Sequence, residues 1–520
     1  MSSVKDTMKH ASIYSMAAML GKMVGFLMLP FYAHILHAEG YGVIGLLDMA
    51  STLLVSMLAY GVRGANVRLY HDQADPKLKK VVISTGVTLI IGVAAIMAVP
   101  LMFFARPISA TLLENANYSH LVIITLFTFI LEMGGQGASS WLLIQSQSVK
   151  FAAINLLRLL VGLSLNIWLI LFLDMGLNGY FLSSLFTSIV CNSVLLFIAY
   201  RNCGTRFDRT IAHEIRRYIQ PLVPSGLLGF ASRQVERIMV RFQIGMASVG
   251  LLEIGYKFPI LIAQFVTTPF MQSWNTRRFE LADQPEADRQ IGEMFTYYLF
   301  LATFVGLVIA MIIKPLLVIL TPPDFHLAYR IAQVEVVTLI LQGVYYHLSF
   351  GLLYAKHTHT VAKLRSVVAV VKIGLSWVFI SAMGILGAAW SAAIMGAVTA
   401  LFGFILARRQ YAIRMEWKKI LLICGLAFGL FFGFSDWDAS GTPVFSLISE
   451  RWLPAATDAI AATPLNNWKE GKLLVLLTER NLPMTEVIIK GFMALLFGLL
   501  APIIHTDSRR KLQKLLKLSK

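Results

Sequence analysis

The feature that most constrains this chain is a series of apolar segments, each about twenty residues long, recurring from one end to the other. They fall at about 11–35, 41–61, 81–104, 119–146, 151–173, 177–200, 219–244, 249–271, 292–319, 331–354, 366–383, 385–407, 418–436 and 485–504. Wound as an α-helix, about twenty residues cross the roughly 30 Å hydrocarbon core of a bilayer. No water is present there to satisfy peptide groups, so spanning segments are helices or strands of a closed barrel. Barrel strands need only about 9–11 residues, which these runs exceed. The expected fold is therefore an all-α polytopic membrane protein with about fourteen transmembrane helices. Composition agrees: 57% of residues are hydrophobic, 14% are charged and the mean hydropathy is +0.69. The first run is too long for a signal-peptide core and lacks an A-x-A site, so it is expected to remain as a span. Cys191, Cys203 and Cys424 form no paired spacing, which argues against a disulfide framework or a thiolate metal site.

The loops set an orientation. With Met1 inside, thirty of the forty-five Lys and Arg fall in inward segments, among them 63–80, 201–217, 408–419 and the tail 509–520. Six fall outside: Arg106, Arg330, Arg451, Lys469, Lys472 and Arg480. The remaining nine lie within spans. Alternation of basic and non-basic loops implies that both termini face the cytoplasm. The net charge of +17 is then a topology signal, not a nucleic-acid-binding surface.

The chain also repeats itself. Gly42-Val43-Ile44 matches Gly250-Leu251-Leu252, and Met175-Gly176-Leu177-Asn178-Gly179 matches Met383-Gly384-Ile385-Leu386-Gly387, both 208 residues on. Gly162-Leu163-Ser164 matches Gly374-Leu375-Ser376 at an offset of 212. Two halves of six spans share an orientation, so they are expected to be parallel repeats around a central cavity, a transporter architecture. The expected organisation is a lobe at 1–205, a second at 206–410, and a C-terminal part at 411–520. That last part holds spans 13 and 14, an outward loop at about 437–484 and a basic tail.

Charges inside the spans point to function, because a charge at the bilayer centre costs about 2.5–3.5 kcal/mol on insertion scales. Lys22 stands about eleven residues into the first span, roughly 16 Å deep. Glu132, Arg158, Arg233, Lys257 and Lys372 also lie far from span ends. These six are the candidate substrate-binding residues. Arg233, Arg237 and Arg241 recur every four residues and form one helical stripe, with Glu236 beside it. Asp48, Glu236, Arg237 and Glu253 are the candidate gate or ion-coupling residues, with H+ or Na+ as the coupling ion. Nine intramembrane bases face five acids (Asp48, Glu132, Glu236, Glu253 and Glu335). Excess positive charge in a wet cavity suits a pyrophosphate or an acidic sugar. No nucleophile elbow, P-loop or dinucleotide fingerprint is present, and the spans read as a transporter, not an enzyme.

Two stretches carry a family resemblance. GKMVGFLMLPFYAHILHAEGYGVIGLLD resembles the opening of the Wzx-type polysaccharide transporters of the multidrug/oligosaccharidyl-lipid/polysaccharide (MOP) flippase superfamily. His37 and Ala38 stand where glycine is usual, and Glu39-Gly40-Tyr41-Gly42 carries one extra residue. PLVPSGLLGFASRQVERIMVRFQIG is similar to the family's seventh span, whose Asp-Arg pair is here Glu236-Arg237. Gln272 and Trp274 match the end of the eighth span. The resemblance covers residues 1–410 well and the rest poorly.

What the resemblance implies is alternating-access export of an undecaprenyl-pyrophosphate-linked sugar repeat unit across a bacterial inner membrane, for O-antigen, capsule or exopolysaccharide. Its partners would be the lipid-linked oligosaccharide, membrane lipids and the polysaccharide polymerase and chain-length machinery. A lipid II flippase is the nearest rival. A cation-antiporting multidrug exporter would need an acidic residue in span 1, where this chain has Lys22. A membrane polymerase acting through the Asp438–Pro483 loop is disfavoured, because that loop has no histidine. The topology is directly testable: cysteines replacing Lys79 and Arg409 should react only from the cytoplasm, and one replacing Asn466 only from outside. Labelling of the Lys79 position by an impermeant reagent in intact cells would refute it.

Overall fold

A computed structural model of the chain describes residues 24–220, 222–434, 490–491 and 497–498, excepting the side chains at 56–60, 222–229, 231–233 and 434. Every regular element among the described residues is a helix, and ten helices are long and apolar enough to cross a membrane. The protein is thus an all-α multi-pass membrane protein. Its helix ends fall close to those expected. The run 81–104 is helix Pro76–Phe103, 151–173 is Ser148–Asn166 continued by the π-helix Ile167–Phe172, and 385–407 is Ile385–Arg408. The expected break between the first two spans is a kink at His37 (φ 53°, ψ −176°) inside the continuous helix Leu29–Asp72.

Three features differ from the expectation. Helices Ala105–Leu112 and Arg209–Ile219 stand where loops were expected. The second is amphipathic: Ile211 and Ile215 are buried with Ala65, Val81 and Val82, while Arg209, Arg216 and Arg217 stay exposed. The Asp208 carboxylate accepts from the Thr210 and Ile211 amides at 2.8 and 3.1 Å, satisfying two orphan donors of its first turn. Third, the run expected to end near 271 continues as helix Thr268–Leu281. Its extra turns are held by Trp274 and Leu281, buried against Met271, Ile291 and Phe350. They are also held by Arg278, whose Nη1 donates to the Tyr346 carbonyl at 3.0 Å.

The chain forms two compact units, Met1–Gly250 and Leu251–Lys520. The first has one core around Ile83, Val87, Trp141, Leu142 and Leu195, and a second around Ala65 and Val82. In the second unit, Phe295, Leu299, Met311 and Ile423 form a core, with Met271, Trp274 and Phe350 in another. Residues 206–250, which the repeat assigns to the second half, pack in the first unit: helices Arg209–Ile219 and Leu222–Gln243 both lie against Leu29–Asp72. Large apolar side chains such as Ile96, Phe103, Phe197 and Val370 are exposed, as lipid-facing positions require.

The repeat is visible in the backbone. Positive φ occurs at His37, Ser146 and Gly176, and again at Gly245, Lys356 and Gly384, offsets of 208, 210 and 208. Gln147 (φ −84°, ψ 58°) and His357 (φ −80°, ψ 50°), also 210 apart, each start a spanning helix. The recurring glycine pair has a steric reason. A Cβ on Gly179 would lie 3.1 Å from the Leu169 carbonyl oxygen, and one on Gly387 would lie 2.0 Å from the Phe379 oxygen. Each helix start therefore presses on the end of the helix before it.

Gly343 gives the fold its sharpest packing test, since a Cβ there would sit 1.5 Å from Tyr298 Oη, which hydrogen-bonds Thr267 Oγ1 at 2.9 Å. Overpacking of this kind costs about 1–3 kcal/mol. Gly343→Ala should lower the unfolding temperature in detergent, and adding Tyr298→Phe should recover part of the loss, since it removes the clashing oxygen. Equal melting of Gly343→Ala and the native protein would contradict this packing.

Candidate functional site

The sequence-predicted charges resolve into groups with different surroundings. In the first unit, Glu132 on helix Ser119–Ile144 and Arg158 on helix Ser148–Asn166 meet directly. Arg158 Nη1 donates to Glu132 Oε1 at 2.6 Å and Nη2 to Asn192 Oδ1 at 2.9 Å. Ser188 Oγ donates to the same Glu132 oxygen at 3.0 Å. Asn192 reaches the pair because Gly135 lets its helix in: a Cβ on Gly135 would lie 2.0 Å from Asn192 Oδ1. Both charged side chains are about a quarter exposed. The pair is internally neutral, so it adds a dipole, not net charge, to the membrane interior.

A second group collects around Asp48, which is exposed and accepts from Tyr180 Oη at 3.0 Å. Tyr180 packs edge-on against Tyr32, with centroids 5.4 Å apart. Tyr32 Oη donates to Asn166 Oδ1 at 2.6 Å, and Asn166 Nδ2 donates to the Gly162 carbonyl at 2.7 Å. Three helices, Leu29–Asp72, Ser148–Asn166 and Gly176–Cys203, are thereby linked beside one carboxylate.

The third group lies on helix Leu222–Gln243. Glu236 is buried and Arg237 Nη1 donates to Gln234 Oε1. One turn later on the same helix, Arg241 Nη1 lies 2.6 Å from Glu114 Oε1. Sequence reasoning did not find Glu114, which follows the short helix Ala105–Leu112 and carries no spacing signal. Glu253 and Lys257 are half-buried on helix Met246–Lys257, and Lys372 is half-buried on helix Thr358–Met383. Lys22 and the Arg233 side chain lie outside the described residues. No group of three or more His, Cys, Asp or Glu poised for a metal occurs among the described residues.

Compared with protein-family models, residues 7–274 match the family described as polysaccharide biosynthesis protein, just over half of the chain. The chain belongs to that family. A search of curated protein sequences finds no match. Among solved structures, the chain is similar to the lipid II flippase MurJ in an inward closed conformation. That match has a TM-score of 0.67 and 15% identity, and covers 95% of this chain and 99% of the other. It is similar to an inward-facing multidrug resistance MATE family transporter of the MOP superfamily (TM-score 0.58, 15% identity, 77% and 95% covered). It also resembles a MOP superfamily transporter from Pyrococcus furiosus described as having a binding pocket of reversed polarity (TM-score 0.55, 16% identity, 77% and 95% covered). The chain is a member of the polysaccharide biosynthesis protein family, and its fold is similar to that of these solved transporters.

Of the candidate residues, the family match spans Lys22, Asp48, Glu132, Arg158, Arg233, Glu236, Arg237, Glu253 and Lys257, and leaves out Lys372. The second unit holds one buried base that sequence reasoning passed over. Arg278 is 3% exposed, with its guanidinium 5.0 Å from the centre of the Phe350 ring. Next to it in the chain fold, His347 is buried with its ring 4.6 Å from that of Tyr298. His347 therefore serves the helix packing. The Glu132–Arg158 pair offers the clearest energetic test. Removing either partner strands the other, so Glu132→Gln and Arg158→Gln should each destabilise, while the double variant should lose less than their sum. A coupling of about 0.5–3 kcal/mol is expected from melting in detergent; strict additivity would refute the pairing.

Proposed function

We propose that this protein flips undecaprenyl-pyrophosphate-linked oligosaccharide repeat units across the bacterial inner membrane for surface polysaccharide synthesis. The observation that carries this reading is the polysaccharide biosynthesis family match on a MOP transporter fold. Both termini face the cytoplasm in this proposal, and the two repeats open alternately to either side. Lys22, Arg233, Lys257 and Lys372 supply the positive charge that receives the carrier's phosphates or an acidic sugar. The Arg158–Glu132 pair orients one wall by its dipole and hydrogen bonds. Asp48, with Tyr180, Tyr32 and Asn166, and the acids Glu236 and Glu253 with Arg237 are the proposed gating and coupling groups, driven by H+ or Na+. The finished unit passes to the polymerase and chain-length machinery outside.

The sign of the charge supports this substrate over a cationic drug. An excess of nine bases over five acids in the spans attracts anions and repels cations. The similar Pyrococcus furiosus transporter, described as having reversed pocket polarity suggesting different function, supports the view that this fold accommodates pockets of either sign.

The test is surface polymer in cells lacking their own exporter. Arg233→Ala should lower it about tenfold or more at equal protein level, as expected for loss of a charge-assisted contact. Arg233→Lys should restore part, because a point charge still binds phosphate. Normal export by Arg233→Ala would remove Arg233 from the substrate site. Rescue of cells depleted of a lipid II flippase, without any effect on surface polymer, would replace the proposed substrate.

A further inference from the structure

Arg241 ends helix Leu222–Gln243, where an arginine near a span end ordinarily snorkels toward the headgroups. This one does not, being only 5% exposed. Its guanidinium is used on three sides by one short segment of the first half. Nη1 lies 2.6 Å from Glu114 Oε1, Nε donates to the Leu112 carbonyl at 2.8 Å, and Nη2 faces the Thr111 carbonyl at 3.3 Å. Thr111 and Leu112 close helix Ala105–Leu112, so their carbonyls are among those that a helix end leaves unsatisfied. That end carries partial negative charge and favours a cation. The receiving segment is itself fixed. Ser109 Oγ donates to the Asn115 carbonyl at 2.5 Å, and Glu114 holds a left-handed φ of 60° that a non-glycine residue rarely adopts.

The same end of the first unit carries a second contact, made by the repeat itself. A Cβ on Gly42 would lie 2.2 Å from the Met246 carbonyl oxygen, and one on Gly250 would lie 2.1 Å from the Ala38 oxygen. Ala38 and Met246 are 208 residues apart, as are Gly42 and Gly250. Two equivalent helical turns, one after each positive-φ residue His37 and Gly245, thus meet backbone against backbone with glycine on both sides. Such an approach is stabilised by packing and weak Cα–H···O contacts, which part readily when the turns separate. Charge-assisted hydrogen bonds are stronger and depend on direction.

We infer that Arg241 is a latch that holds the outer end of the pathway shut, by clasping the Thr111 and Leu112 carbonyls and Glu114 across the glycine-on-glycine contact of Gly42 and Gly250. The inference rests on the flippase reading for the pathway, for which end is outer, and for what passes when the latch opens. Because two of its three partners are carbonyls, the latch differs from an exchangeable ion pair. Arg241 should tolerate loss of Glu114 better than Glu114 tolerates loss of Arg241, and reversing both charges should fail.

The test uses the full chain with Cys191, Cys203 and Cys424 replaced and a cysteine in place of Val43, which is 2% exposed beside Gly42. An impermeant maleimide is applied to intact cells and to inverted membrane vesicles, and the labelling rate is compared among variants of matched abundance. Arg241→Ala should speed labelling about tenfold, in intact cells for the proposed orientation. Arg241→Lys and Glu114→Gln should fall between this and the native rate, and they carry the test if Arg241→Ala does not accumulate. The exchange Arg241→Glu with Glu114→Arg should stay fast. Native-rate labelling of Arg241→Ala and Arg241→Lys on both membrane faces would overturn the latch. Restored protection in the charge-exchanged protein would overturn the role of the carbonyls. Labelling needs no substrate, so its failure is distinct from failure of the transport reading. A shift in labelling with no polymer export by the native chain would leave the latch and sink the substrate.

Discussion

A bilayer interior contains no water to accept what a protein leaves unpaired, and much of this structure follows from that. Backbone groups are satisfied within helices, so the chain becomes a set of helices. Side chains are then satisfied between helices. Arg158 on one helix finds Glu132 on a second and Asn192 on a third, within 2.6 and 2.9 Å. Tyr32 finds Asn166 134 residues away, at 2.6 Å. Small residues make these meetings feasible, because helices bearing glycine approach until a polar side chain rests on backbone, as Asn192 does on Gly135 and Asn66 on Gly86. Each such contact fixes the relative position of two helices more narrowly than apolar packing in lipid would.

The second organising constraint is the repeat. An offset of 208 to 210 residues recurs in the backbone breaks at His37 and Gly245, Ser146 and Lys356, and Gly176 and Gly384. Side chains differ between the halves, His37 against Gly245 and Ser146 against Lys356, while a positive φ recurs at each pair. Backbone geometry is the more durable record because a helix break determines where the next helix packs. The hydrogen bonds from Ser183 to the Tyr180 carbonyl and from Ser391 to the Ala388 carbonyl, each 2.8 Å, show the same offset at the level of single atoms.

Much of this was legible in the sequence, and the remainder was illegible for physical reasons. Positions of the ten spanning helices among the described residues could be read because hydrophobic length is a local property, integrated over about twenty residues. Helices Ala105–Leu112 and Arg209–Ile219 were hidden because eight and eleven residues make too short a periodic signal beside a basic loop. That Glu132, Arg158 and Asp48 stand on long apolar helices was legible, but their partners were not, since Asn192 and Tyr180 are ordinary residues until the fold brings them near. The arginine stripe was legible as a stripe, yet spacing alone could not say that Arg241 would meet Glu114. Glycine repeats were read as similarity. Their steric meaning, two turns whose carbonyls fill the space a Cβ would take, required the packing.

The chain belongs to the polysaccharide biosynthesis protein family and shares its fold with the lipid II flippase MurJ. The central claim built on them, translocation of a lipid-linked saccharide, is open to a direct measurement with purified protein. The native chain would be reconstituted into liposomes carrying a fluorescent undecaprenyl-pyrophosphate oligosaccharide in both leaflets. A saccharide-modifying enzyme added outside then reports how much of the lipid becomes accessible, with and without an H+ or Na+ gradient. The account predicts that modification proceeds beyond the outer-leaflet half only when the protein is present, and faster with the coupling gradient. Modification that stops at the outer-leaflet share, while the protein is folded and inserted, would contradict it.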